Sequence, residues 1–221
     1  MRAWQRRFVF LGFGLGLALA SAPAHAALTV THIATDAEML SLLTETVAVA
    51  EGRIGDRGGA ATFELDLGQD TGAPATTAQC NWVSGQLEPW SVIYDSGINQ
   101  IQFNLGGKSL IYTPGPNMEE IFVRVRATKG ESSITVDNMV LDGEFVFEQS
   151  STTGPSPGLD IVRIQGGVLA DGFVFTGDAR LTWGSILPAN SHLAFQLKIG
   201  HGDSVVQTDG ATWGRMKALY R

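Results

Sequence analysis

Between residues 60 and 200 apolar and polar side chains alternate in short runs, and each run ends at a turn signal. In ATFELDL, Phe63, Leu65 and Leu67 alternate with Glu64 and Asp66, the period-two pattern of a half-buried strand. PWSVIYD and INQIQFNLGG follow, joined at DSG, with Ile98, Ile101, Phe103 and Leu105 in the apolar positions. KSLIYT resumes after Gly106-Gly107, so this stretch predicts a meander of three short strands. Beyond the break TPGPN, EEIFVRVRAT puts Arg124 and Arg126 on one polar face, and SSITVDNMVLDG meets EFVFEQS at Asp142-Gly143. LDIVRIQG, GFVFTGDARLTW and HLAFQLKIG complete the series. In the last, Leu193, Phe195, Leu197 and Ile199 oppose His192, Ala194, Gln196 and Lys198.

Upstream, ALTVTHIA alternates as a strand, and then the period changes. Met39, Leu40, Leu43, Val47 and Ala50 recur at three and four, with Thr35 or Asp36 as N-cap and Gly52 after the last turn. This predicts a helix over about 36–51, with a strand as the alternative for its β-branched end TVAVA. STTGPSPG (151–158) has the composition of a solvated loop inside one domain, because strand patterning continues on both sides of it. Some ten short strands separated by turns predict a mainly β fold: an antiparallel β-sandwich, jelly-roll-like, with one N-terminal helix. The expected organisation is a leader over 1–26, a single domain over 27–200, and a spacer with a short basic tail over 201–221.

The leader changes the compartment. Arg2, Arg6 and Arg7 precede the apolar run from Phe8 to Ala20, and Ala24-His25-Ala26 supplies a small-x-small cleavage box. A secreted or cell-surface protein beginning at Ala27 is expected. The chain has 15 Lys+Arg against 22 Asp+Glu, a formal net charge of −7, and loss of the leader makes it more acidic still. That balance excludes nucleic acid as an expected partner, since affinity for a phosphate backbone needs a basic stripe. Cys80 is the only cysteine, so no disulfide forms within the chain.

Several blocks together resemble the choice-of-anchor W domain: AEGRIGD, NWVSGQLEPWSVIYDSGINQIQFNLGGKSLIY, EIFVRVRAT, ITVDNMVLDG and LADGFVFTGDARLTWGSILPANSHLAFQLKIG. The resemblance covers roughly residues 50 to 200 and is sharpest in DGFVFTGDARLTW and SHLAFQLKIG. It implies an exported bacterial β-domain from a group whose members differ in their C-terminal sorting signals, often of the PEP-CTERM kind. It brings no catalytic or ligand residues with it. The tail of this chain departs from the commonest pattern, lacking Pro-Glu-Pro, an apolar span and an Arg cluster in that order.

Candidate chemistry is sparse. Trp82, Trp90 and Trp183 are the first choice for stacking on sugar rings, with Asn81, Gln86, Asp95 and Asn99 to bond hydroxyls. Filling the space between two sheets is the commoner fate of such aromatics. Glu64 with Asp66, and Glu119 with Glu120, are the carboxylate pairs that a glycoside hydrolase would require across a cleft; on strands, such pairs are more often solvated faces. Asp-Gly at 142, 171 and 209 suits tight turns, and without a dense acidic loop calcium is not indicated. No cofactor is expected. Cys80 has no histidine within twenty residues, and no Gly-x-Ser-x-Gly elbow occurs. In the tail, Trp213, Met216 and Tyr220 fall at helical spacing beside Arg215, Lys217 and Arg221. Its apolar content is far below the ~20 residues of a membrane span, so a docking element or sorting address is expected rather than an anchor. The functional expectation is a noncatalytic structural or interaction domain of the cell surface or matrix, with proteins or polysaccharide as partners. The alternative is a polysaccharide-binding module built on the tryptophans.

Overall fold

A computed structural model describes residues 27–55, 63–69, 74–155, 158–167, 169–188 and 191–202. The predicted leader, and tail residues Trp213, Arg215, Lys217, Tyr220 and Arg221, lie outside them. The first elements are β1 (Thr29–Ile33), α1 (Asp36–Leu42), β2 (Leu43–Arg53), β3 (Leu65–Gly68) and β4 (Thr76–Ala78). The meander follows as β5 (Leu87–Asp95), β6 (Gln100–Leu105) and β7 (Lys108–Tyr112). Then come β8 (Glu120–Ala127), β9 (Ser132–Leu141), β10 (Glu144–Phe145), β11 (Ser150–Thr153) and β12 (Leu159–Gln165). A short 3-10 turn (Leu169–Asp171), β13 (Phe173–Trp183) and β14 (Leu193–Gly202) complete the order.

The strands form two antiparallel sheets packed face to face. Sheet 1 runs β1-β12-β8-β14-β2-β3-β4 and sheet 2 runs β10-β9-β13-β5-β6-β7, with β11 also paired to β9. From β7 onward the chain crosses between the sheets at β7–β8, β8–β9, β11–β12, β12–β13 and β13–β14, as in a jelly roll. Among the described residues no helix is long and apolar enough to cross a membrane.

The helix is shorter than its periodicity predicts. Thr35 Oγ1 accepts from the Glu38 amide at 3.1 Å while Glu38 Oε2 accepts from the Ala34 amide at 3.1 Å, and this exchange starts the helix. It ends at Leu42, and Leu43 is already extended (φ −91°, ψ 91°). Residues 43–53 instead become β2, paired with β14 in the interior of sheet 1. Against β14, β2 carries an extra residue near Val47 and another near Thr44. These two bulges break strict alternation, so apolar positions in a strand mimic three-and-four spacing. The other departure is β11: residues 151–153 of the predicted loop, with Ser150 before them, pair with Val136 to Ser133 of β9.

The core lies between the sheets. Trp90 of sheet 2 meets Phe175 edge-on, centroids 5.0 Å apart at 77°, and reaches Phe195 of sheet 1 at 6.4 Å. Gly177, directly opposite Trp90, makes this fit: a Cβ there would stand 2.6 Å from the indole Cζ2. A second cluster forms on the outer face of sheet 1, where Ile33, Met39, Leu43, Phe122 and Ile161 pack under α1. Asp36 of α1 holds Arg124 of β8 in a two-pronged pair at 2.6 and 2.7 Å, which fixes the helix there. Sheet 2 has no such cover among the described residues.

Candidate functional site

Most of the residues the sequence nominates are structural. Trp82 is 6% exposed and donates from Nε1 to the Arg53 carbonyl at 2.9 Å; Trp90 is 3% exposed. Neither can stack on a sugar ring, which corrects that expectation: a two-sheet core has the volume to bury both indoles. Trp183 packs half-buried against the same core. Asp95 builds the β5–β6 turn, its Oδ1 accepting from the Gly97 amide at 2.9 Å. Asn99 sits in that turn at φ 49° and accepts from the Tyr94 hydroxyl. Gln86 bonds Glu88 at 2.6 Å, and Asn81 is exposed.

The nominated carboxylates enter ionic networks on sheet 1. Glu64 and Asp66 do share a face, but both are buried. Glu64 Oε2 accepts from the Gly55 amide at 3.2 Å. Asp66 lies opposite Glu51 of β2, with Arg53 Nη2 3.4 Å from Asp66 and Nη1 3.8 Å from Glu51. Arg53 also lies over the Phe63 ring at 4.1 Å. Burial, followed by the charge of Glu51, raises the Asp66 pKa to about 7 against the pull of Arg53. Glu119 and Glu120 point apart: Glu119 pairs with His201 at 2.9 Å, whereas buried Glu120 pairs with Arg163 at 2.6 Å. None of these pairs faces its partner across a cleft. Cys80 is buried, and burial pushes its thiol up to about 11, so it is poorly nucleophilic. Among the described residues no group of three or more His, Cys, Asp or Glu is placed to hold a metal ion.

Two hollows remain. The smaller, about 600 Å³, is lined by Lys129, Glu131, Ile186, Pro188 and His192. Thr128 Oγ1 lies 2.6 Å from His192 Nδ1, and burial with nearby Lys129 and Arg126 lowers the His192 pKa. Among the described residues this hydroxyl–imidazole pair lacks the third, orienting group of a nucleophilic triad.

The larger is an open groove of about 770 Å³ on the outer face of sheet 2. Its floor comes from alternate, outward positions of four strands. Ser91 of β5, Asn104 of β6 and Ser109 of β7 lie side by side, and Thr176 of β13 lies next to Ser91. Asn104 Nδ2 donates to Ser91 Oγ at 3.0 Å; Gln102 Nε2 donates to Asn104 Oδ1 and to Ser109 Oγ, both at 2.9 Å. At the other end Asn138, at φ 51°, occupies a bulge where β9 carries one extra residue against β13. The bulge turns its amide onto Asp178, Nδ2 to Oδ2 at 2.9 Å. Beyond this floor, at the edge of the sheet, Phe145 and Phe147 are 62% and 91% exposed, ring centroids 6.3 Å apart.

No protein-family model and no curated protein matches the chain. The geometry therefore has to carry the functional reading. Apart from Trp90, whose side chain is buried beneath the floor, the groove residues were absent from the sequence-derived candidates, though their signal was present: they are the polar members of alternating runs such as SVIYD, QFNL and TGDA. Only pairing shows that they converge.

Proposed function

We propose that this chain is an exported, noncatalytic interaction domain of the bacterial cell surface or extracellular matrix, which engages its partner through the outer face of sheet 2. The observation that carries this reading is the asymmetry of the sandwich. The outer face of sheet 1 carries α1 and a set of ion pairs, Asp36–Arg124, Arg53–Asp66 and Arg163–Glu120. The outer face of sheet 2 presents a groove with a hydrogen-bonded polar floor and exposed phenylalanines, without cover among the described residues. The leader-like N-terminus and the resemblance to exported β-domains support the location.

The test uses purified protein from Ala27 to Arg221 and the washed envelope and matrix of the producing cells. Thr176→Arg, which places a long charged side chain in the groove, should abolish retention, and Glu45→Arg, at an exposed position of β2 in sheet 1, should not. Equal retention of both variants, or equal loss, refutes the assignment of the face.

A further inference from the structure

We infer that the groove on the outer face of sheet 2 is a binding site for a neutral polysaccharide; this rests on that face being the interaction surface. The argument begins with register. Phe145, Val140, Thr176, Ser91, Asn104 and Ser109 are consecutive cross-strand partners, one from each of six of the seven strands of sheet 2. At about 4.8 Å between strands this row is roughly 24 Å long, the footprint of an extended ligand rather than a compact one. Apolar Phe145 and Val140 stand at one end, and the hydroxyl and amide groups of Thr176, Ser91, Asn104 and Ser109 follow.

The hydrogen-bonding inventory suits hydroxyl groups. Asn104 uses one amide hydrogen on Ser91 and accepts one bond from Gln102, which leaves a donor and an acceptor site. Ser91 and Ser109 act as acceptors in the floor, so their own hydroxyl hydrogens remain for a ligand. Asp178 retains acceptor capacity beyond the oxygen held by Asn138. A sugar hydroxyl both donates and accepts, and this mixture answers both demands.

Charge and shape exclude the competing chemistries. Lys108 and the carboxylates Glu88 and Asp178 line the same groove, so it offers no cationic field to a polyanion. It is open and its floor carries hydroxyl and amide groups, unlike the enclosed cavity that a small hydrophobic ligand fills. The hydrogen-bonded floor is set before any ligand arrives, which limits the ordering cost of binding.

Affinity electrophoresis tests the inference, with protein from Ala27 to Arg221 run in native gels containing dextran, galactomannan, hydroxyethyl cellulose or, as the anionic control, alginate. Migration should slow in at least one neutral gel and persist at high salt. Ser91→Ala with Asn104→Ala should weaken that binding by about tenfold, and Thr176→Arg should abolish it, with the circular dichroism spectrum unchanged in both variants. No retardation in any of the three neutral gels, retardation in alginate alone, or retardation insensitive to both variants overturns the inference. If neutral gels fail while Thr176→Arg still abolishes envelope retention, the ligand is wrong and the interaction face stands. If envelope retention is also indifferent to Thr176→Arg, the face itself is wrong.

Discussion

Asp66→Asn should make the protein more stable above neutral pH, and the size of the effect follows from the environment of one carboxyl group. Asp66 is buried on the outer face of sheet 1, opposite Glu51, with Arg53 at 3.4 Å as its countercharge. Its pKa rises from 3.8 to about 7, through burial first and the Glu51 charge second. The folded state therefore keeps this proton up to about pH 7, whereas the unfolded chain releases it near 3.8. Between those values the folded state binds more protons, so the Asp66 contribution to stability falls as pH rises. At about 1.36 kcal/mol per unit, the loss is on the order of 4 kcal/mol by pH 8. Asparagine has nearly the same shape and no charge to bury, and Arg53 retains Glu51. Urea unfolding followed by tryptophan fluorescence, at intervals from pH 4 to 8.5, measures the difference. The two proteins should be similar near pH 4 and diverge through pH 7, with the variant the more stable. Parallel curves would show that Asp66 is ionised normally in the folded state.

Three further predictions concern other parts of the sandwich. Gly177→Ala should cost about 1–3 kcal/mol, read as a lower urea midpoint, because its Cβ would stand 2.6 Å from the Trp90 ring; an unchanged midpoint would mean the indole can move aside. His32 lies between Asp160 at 3.1 Å and Glu148 at 3.4 Å, and although burial opposes its charged form, these partners raise its pKa above 6.5. Its stabilisation is full below pH 6.5 and disappears as pH rises through the raised value, so His32→Gln should lower the thermal midpoint at pH 5.5 and leave it unchanged at pH 9. Cys80 should resist iodoacetamide at pH 8 in the native protein and react fully in urea, because it is buried and its thiol is held up to about 11; rapid native labelling, counted by mass spectrometry, would contradict the packing around it.

Alternation and turn chemistry made the sandwich legible because both are local. The β5–β6–β7 meander and the inward set Leu193, Phe195, Leu197 and Ile199 follow from period two and from Gly or Asp-Gly at the turns. The β9–β10 hairpin is the clearest case: Asp142 and Gly143 both adopt positive φ, 51° and 84°, as a two-residue turn requires. Where local patterning misled, a partner strand was responsible. The helix over about 36–51 ended at Leu42 because bulged pairing with β14 suits Thr44, Thr46, Val47 and Val49 better than continued helix. Ser151 to Thr153, loop-like in composition, became a strand because β9 offered an edge.

The sequence by itself determined the class of fold, the acidic character, and the absence of a disulfide within the chain, since these depend on residue type and on spacing within a few positions. The tertiary structure alone decided which aromatics are buried. Trp82 and Trp90 vanish into the core while Phe145 and Phe147 stay in solvent, and hydrophobicity gives no such ranking. It also decided that Thr176, Ser91, Asn104 and Ser109, up to 85 residues apart in the chain, form one row. A strand's own sequence says which side chains share a face. Which strands lie beside it, and in what register, is settled by sheet order, which depends on how the whole chain crosses the core.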